Sequence, residues 1–377
     1  MGPSALFRAG MLASAALAAL NLLAGLAGGL LRLGWPLPAG ALADHGAVMV
    51  GGVFGTLIAL ERAVALQRSA GLLAPLAAGL GGLLAWAAGR PELAAPCWGA
   101  AALLLFGLYL WAGCTRAWSL HLGVEAAAAL AWGLGTLAWA RGDGPAATLG
   151  WMAFLVGTIA GERRELMQFV RLSTAAQRAF LGLVAAGAAA VLGAQAGMAG
   201  LPGVPAGGPQ ALWWAACAGL AVWLLRHDLA PRLGRREGWV GHTGHCLTIG
   251  YGWLLVGAVL GALGLLRPGG AAAVAPHAVL LGFVFAMVFG HAPIMLPALA
   301  RLRPAYTRWA RAPLWLLSAS LLLRIGASEA GSASALAAAG AAHALAILGF
   351  AAVMAGAVRR GLRAPAAGRS SPAATRR

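Results

Sequence analysis

Long apolar stretches recur along the whole chain and are separated by short polar connections. They lie at residues 7–31, 45–66, 70–89, 93–113, 118–140, 147–169, 177–199, 210–226, 240–265, 272–297, 312–330 and 333–357. A helix needs about 20 apolar residues to cross the hydrocarbon core of a bilayer. Only helices and closed barrels satisfy backbone hydrogen bonds there. The pattern therefore predicts an all-α, polytopic bundle of about 12 transmembrane helices, a single domain over residues 1–358.

Composition and the distribution of charge support this fold and add an orientation. Hydrophobic residues make up 61% of the 377 positions and charged residues 10%, which excludes an ordinary soluble domain. Of the 27 basic residues, all arginine, 22 lie in the N-terminal segment, the even-numbered connections and the tail, and 5 lie in the odd-numbered connections. The positive-inside rule places both termini in the cytoplasm, as expected for a bacterial-type inner membrane. The net charge of +17 thus reflects topology and not nucleic-acid binding. The Arg-rich tail, 359–377, is predicted to be disordered.

A weak internal sequence repeat appears at intervals of four spans. Span 2 contains Gly55-Thr-Leu-Ile-Ala-Leu-Glu-Arg, and span 6 contains Gly157-Thr-Ile-Ala-Gly-Glu-Arg. Span 10 contains Leu281-Gly-Phe-Val-Phe, similar to Val50-Gly-Gly-Val-Phe of span 2. This repeat predicts three groups of four helices, in which spans 2, 6 and 10 occupy equivalent positions.

Two histidines begin spans at the predicted outer surface. His45 begins span 2 and His277 begins span 10. Neutral imidazole is a common ligand of haem iron, and two imidazoles at one depth on different helices can hold a haem from its two faces. The alternative is a pair of interfacial histidines that cap helices or contact headgroups.

A second group of histidines lies at the predicted cytoplasmic ends of spans 9 and 10. His242 and His245 are neighbours on one helix face, with Cys246 beside them, and His291 lies four helical turns after His277. Three histidines at one depth predict an inner metal site for copper or a second haem. The alternative is a polar cluster bonded to loops. His343, near the middle of span 12, is predicted to ligate a metal, to relay protons or to bond a backbone group.

Carboxylates and arginines gather at the inner ends of spans 2, 5 and 6. Glu61 precedes Arg62, Glu162 precedes Arg163, and His121 and Glu125 share one face of span 5. They predict helix-end ion pairs, with two alternatives: a proton path, or an arginine clamp for haem propionates. The chain has no phosphate-binding loop, nucleophile elbow or Cys-x-x-Cys motif, so nucleotide-driven and acyl-transfer chemistry find no support.

The twelve spans, with termini inside and histidines at the outer ends of spans 2 and 10, resemble the catalytic subunit of the haem-copper oxidases. In that superfamily three four-helix groups surround a low-spin haem held between the second and tenth helices. The motifs are similar to those of the NnrS-type proteins, haem- and copper-containing relatives associated with nitric oxide. They are His45-Gly-Ala-Val-Met49, Gly241-His-Thr-Gly244 and His245-Cys-Leu-Thr-Ile-Gly250. The resemblance implies that His45 and His277 bind haem.

The chain departs from both families. An oxidase-type copper site requires histidines on spans 6 and 7, and neither span contains one. Dioxygen reduction at such a centre is therefore not expected. The two motifs that begin at Gly241 and His245 also stand in a different order from that of NnrS. The leading expectation is a membrane haem protein, with copper as a further cofactor. It would act in nitric oxide handling or in electron transfer from quinol or a cytochrome. A proton-coupled secondary transporter, and an assembly factor that binds metal transiently, are the alternatives.

Overall fold

The structure is a computed structural model that describes residues 4–37, 44–168, 170–300 and 302–363, and in these ranges it has helices and no β-strand. We number the twelve long helices in chain order. They are α1 (Ala5–Arg32), α2 (His45–Leu66), α3 (Ser69–Trp86), α4 (Pro91–Thr115), α5 (Leu120–Ala140), α6 (Gly144–Leu166), α7 (Thr174–Met198), α8 (Gly208–His227), α9 (Gly238–Leu266), α10 (Gly270–Pro297), α11 (Ala312–Glu329) and α12 (Ala333–Arg363).

The predicted fold class, a polytopic bundle of transmembrane helices, is confirmed. Within the described ranges, 11 helices are long and apolar enough to cross a membrane. The exception among the twelve is α11, which has 18 residues but carries Arg324 and Glu329. It still packs within the bundle, against α10 and α12. The chain is therefore a multi-pass membrane protein.

The predicted boundaries agree with the helices, with one difference at the C-terminal end. Helix α12 continues to Arg363, so residues 359–363, which we assigned to the tail, are helical. The rest of that tail, 364–377, lies outside the described residues, and so does Arg301, one of the arginines in the charge count.

Each long helix contacts the next one in the chain, and α12 also contacts α1, which closes a ring. Helix α6 also contacts α10, and the rings of His45 and His277 bring α2 beside α10. The contacts place α2, α6 and α10 towards the centre, whereas the division into three groups of four helices stays a prediction, because α4 contacts α5 as extensively as it contacts α3.

Burial agrees with the central position of these three helices. In the most apolar 18-residue stretch of each helix, 78% of residues are buried in α6, 67% in α2 and 56% in α10, against 28% in α1 and α7. Helix α5, at 61%, is also largely covered by protein. The peripheral helices present leucines outwards, as a lipid-facing surface requires.

Asn21, which is fully buried, joins the first three helices. Its side-chain amide donates to the carbonyls of Gly52 and Gly79, and its oxygen accepts from the Trp86 indole. An added Cβ at Gly52 or Gly82 would collide with this side chain. The glycines thus let α2 and α3 approach closely enough to satisfy a buried amide, which lipid cannot do.

Candidate functional site

Helices α2 and α10 each contain a histidine, His45 and His277, that is followed closely by a π-helical segment. The π-helix covers Val48–Phe54 in α2 and Ala278–Phe285 in α10. In α2 it ends where the Gly55 N–H donates to the carbonyl of Val50, five residues earlier. Such segments are uncommon in α-helices and concentrate at functional sites. Their occurrence after both histidines distinguishes this pair of helices from the other ten.

The structure brings His45 and His277 together. Their ring centres are 6.3 Å apart and their planes differ by 20°. The Nδ1 atom of His277 is buried and has no hydrogen-bond partner. The two predicted haem ligands therefore lie side by side on α2 and α10.

The two histidines line a cavity of about 530 Å³, which we call the histidine cavity. That volume lies in the range of about 300–1,000 Å³ typical of ligand pockets. Arg32 and Arg324 line it too, as does His343, which is buried on α12. The structure thus places His343 with the outer pair predicted from the sequence. The walls also include small residues, among them Gly25, Gly29, Gly46 and Gly340.

Several polar atoms of the cavity wall have no partner within the described residues. They are His277 Nδ1, His343 Nε2 and the Trp151 indole nitrogen, all of them buried. Most buried polar groups in proteins are paired, so these three atoms could bind a ligand in the cavity.

A second cavity, of about 250 Å³, lies further along the same three helices, and we call it the glutamate cavity. It is lined by Glu61 of α2, Glu162 of α6 and His291 of α10, with His291 Nε2 3.9 Å from Glu162 Oε2. Thr158 also lines it, and its buried hydroxyl has no hydrogen-bond partner. The remaining walls are apolar. Three residues that the sequence identified on three separate spans thus converge.

Two phenylalanines stand between the cavities. Phe54 lines both, Phe285 lines the histidine cavity, and their rings meet edge to face at 5.3 Å. Each phenylalanine is the last residue of its π-helix. Two aromatic rings in contact therefore lie between the basic cavity and the acidic one.

The ion pairs predicted from neighbouring residues have different partners in the structure. Arg62 pairs with Glu125 of α5 at 2.5 Å and does not bind Glu61, its neighbour in the sequence. Arg163 forms two hydrogen bonds with Asp228, at 2.7 and 3.0 Å, and does not bind Glu162. Consecutive side chains on a helix do not face each other, so each arginine turns to another helix or connection. The predicted role in tying helix ends together is retained.

His121 and Glu125 share a face of α5 but do not contact each other. His121 lies 3.1 Å from the Ser119 hydroxyl and 3.8 Å from Glu165, whereas Glu125 is occupied by Arg62. The predicted proton-carrying pair is therefore not formed directly.

The three histidines of the predicted inner metal site do not come together. His242 bonds to the Phe289 carbonyl at 3.0 Å, His245 packs edge-on against Trp315, and His291 turns to Glu162. No group of three or more His, Cys, Asp or Glu in the described ranges can hold a metal ion. The cause is rotation about α10, because Phe289 and His291 are two residues apart and point in different directions.

The chain matches the family model described as Domain of unknown function (DUF8744) over residues 11–359. It belongs to this family. No curated protein has a sequence that matches the chain. All residues that line the two cavities lie within the matched residues, so both cavities belong to the part of the chain that the family model covers.

The sequence did not identify every residue around the two cavities. Arg32 and Arg324 are two of the five arginines counted in the odd-numbered connections. Both line the histidine cavity. Asp228, which binds Arg163 and the Tyr251 hydroxyl, was also overlooked. One signal was available for Arg324, which stands within an otherwise apolar helix, where a charge marks a functional position.

Proposed function

We propose that the protein is a membrane haem protein in which His45 and His277 would hold the haem iron. Haem requires only two ligands from the protein, because the macrocycle supplies the others. The lack of a three-residue metal cluster in the described ranges therefore does not bear on this site.

The separation of the two imidazoles carries the proposal. A metal-bound histidine nitrogen lies about 2 Å from its metal, and the ring centre lies about 1 Å beyond it. Two imidazoles that bind one metal from opposite sides therefore have centres about 6 Å apart. The observed 6.3 Å fits this value.

The other residues of the histidine cavity suit the remaining parts of a haem. Arg32 and Arg324 provide guanidinium groups for the two propionates, since arginine binds carboxylates through paired hydrogen bonds. The glycines leave room for the flat macrocycle, and His343 provides a third imidazole beside it. A bound haem supplies one-electron transfer and, where an axial position opens, binding of a small gas.

The biological role we propose is nitric oxide handling or electron transfer in a bacterial-type inner membrane, with both termini in the cytoplasm. Quinol or a cytochrome is the proposed electron donor. The NnrS-like motifs and the placement of the ligands on the second and tenth helices support this role. Copper would need a site other than the predicted inner histidines, which are held by separate partners.

The test is a reduced-minus-oxidised visible spectrum of the purified protein, together with its haem-to-protein ratio. We expect a bis-histidine haem signal in the wild type and its loss in both His45→Ala and His277→Ala. His227→Ala is the matched control, because His227 lies at the end of α8 against Trp223, away from the cavity. A colourless wild type, produced with ample haem, would refute the proposal.

A proton-coupled transporter is the second candidate, and the glutamate cavity favours it. Two carboxylates and an imidazole from three central helices meet there, within a bundle where ionisable groups are costly. If the protein is a transporter, we expect transport that depends on Glu162 and a purified protein that contains no haem. Substrate-induced proton uptake by colourless proteoliposomes would favour it over the haem proposal.

A further inference from the structure

A third cavity, of about 770 Å³, opens at the surface where α9 and α11 begin, and we call it the arginine cavity. Three arginines line it: Arg235 and Arg236 from the connection before α9, and Arg311 from the turn before α11. Tyr306 and one carboxylate, Glu237, complete the polar lining. The wall is thus rich in donors and has a net positive charge.

The connection that carries two of these arginines is held against α9 by the Gly241-His-Thr-Gly244 motif. A Cβ on Gly241 would collide with the Arg236 carbonyl, and one on Gly244 would collide with the Gly234 backbone. The two glycines therefore let the connection lie directly on the helix. The residues between them attach α9 to α10, His242 through the Phe289 carbonyl and Thr243 through the Gly290 carbonyl at 2.8 Å.

The opposite wall is attached to the same helix. The Trp239 indole donates to the Pro304 carbonyl at 2.9 Å, and the Trp239 ring meets Tyr306 edge to face at 5.3 Å. Both sides of the cavity are therefore built on the first two turns of α9. Such a cavity does not need to be ordered by its ligand, which favours affinity.

Arg311 has a buried Nε atom without a hydrogen-bond partner. Its donor is thus removed from water without a hydrogen-bond partner, and Glu237 is the one carboxylate among the described lining residues of the cavity. An anion with several acceptor oxygens in the cavity would satisfy it. Phosphate fits this requirement best, because arginine presents its donors in a fork that matches phosphate oxygens.

We propose that the arginine cavity binds a phosphate group. This inference does not depend on haem binding. Two sources can supply the group, the headgroup of an anionic phospholipid and free inorganic phosphate. The surroundings favour the lipid, because exposed Trp309 and Trp315 flank Arg311, and tryptophans concentrate at the depth of the headgroups. Basic pockets between transmembrane helices are known places for anionic headgroups.

Native mass spectrometry of the full chain in mild detergent tests the inference. Protein is titrated separately with short-chain phosphatidylglycerol, short-chain phosphatidylcholine and inorganic phosphate. We expect phosphatidylglycerol to be retained in preference to phosphatidylcholine. Removal of each arginine should weaken retention about fivefold, from the usual contribution of a basic residue near an anionic surface. Arg235→Ala/Arg311→Ala is the variant, and Arg8→Ala/Arg226→Ala is the control with the same loss of charge.

Each outcome decides between the sources or rejects the site. Retention of phosphatidylglycerol by wild type and control, with loss in the variant, identifies the lipid. Arginine-dependent retention of inorganic phosphate alone assigns the free anion. Equal losses in variant and control, or no retention of either ligand by wild type, overturns the proposal. Gel filtration and the thermal midpoint of unfolding establish that both double variants are folded.

Discussion

The histidine cavity and the glutamate cavity are lined in part by the same three helices, α2, α6 and α10, yet their chemistry is opposite. The first contains three imidazoles and two guanidinium groups, and the second contains two carboxylates and one imidazole. Phe54 and Phe285 separate them. Helix α2 carries His45 at the first cavity and Glu61 at the second, whereas α10 carries a histidine at both, His277 and His291.

This difference indicates that the two ends have separate tasks. The basic cavity suits a group with a metal at its centre and carboxylates at its edge. The acidic cavity suits protons or a ligand that donates hydrogen bonds. An inert bundle would not maintain both, because each ionisable side chain at membrane depth carries a cost. The predictions below ask whether the two cavities are independent.

The largest effect on stability is expected at the ion pair beside the glutamate cavity. Glu125 is fully buried and bonds to Arg62, so Glu125→Ala leaves an uncompensated buried charge. Breaking a buried pair costs about 3–5 kcal/mol, which we expect as a marked fall in the thermal midpoint of unfolding. Glu92→Gln, which removes an exposed pair with Arg90, should leave the midpoint unchanged. Equal midpoints for wild type and Glu125→Ala would show that this pair is not structural.

The next effect concerns space in the histidine cavity. Gly29 lines it, and a Cβ there would lie 3.6 Å from His45 Nδ1. Gly29→Leu should therefore fill the cavity and lower the haem-to-protein ratio severalfold while the protein stays folded. Gly107→Leu, at a position open on all sides, is the control. Full haem occupancy in Gly29→Leu would place the haem elsewhere.

A smaller effect is expected from Arg324, which lines the histidine cavity without being a ligand. Arg324→Gln should keep the bis-histidine spectrum, weaken haem retention and lower the midpoint potential, since a positive charge near the iron favours its reduced form. Arg324→Lys should restore the midpoint potential more fully than haem retention. Lysine keeps the positive charge but lacks the paired N–H donors of the guanidinium group. A potential that is the same in all three proteins would argue against contact with the haem.

The smallest effect on haem is expected from the glutamate cavity itself. Glu162→Gln, which alters the partner of His291, should leave haem content and spectrum unchanged. It should reduce the rate of any proton-coupled reaction measured in proteoliposomes. If Glu162→Gln loses haem as His277→Ala does, the two cavities form a single site and are not independent.

Much of the architecture follows from the sequence, because the spans are long, apolar and separated by arginine-rich connections. His45 and His277 were found because they begin matching spans, and the structure places their rings together. Glu61, Glu162 and His291 were found as intramembrane ionisable residues, but only the structure unites them in one cavity. Their convergence depends on how three helices are rotated, which no local pattern specifies.

The sequence by itself determined the number of helices, the bias of charge and the residue types that carry chemistry. Those properties depend on hydrophobic length and on the cost of charge in lipid, both of which are local. The tertiary structure alone decided the partners: Arg62 with Glu125, Arg163 with Asp228, and His242, His245 and His291 apart. A helix presents side chains all around its axis, and its neighbours select which of them meet. The π-helices after His45 and His277 change that presentation again, and they are seen only in the backbone.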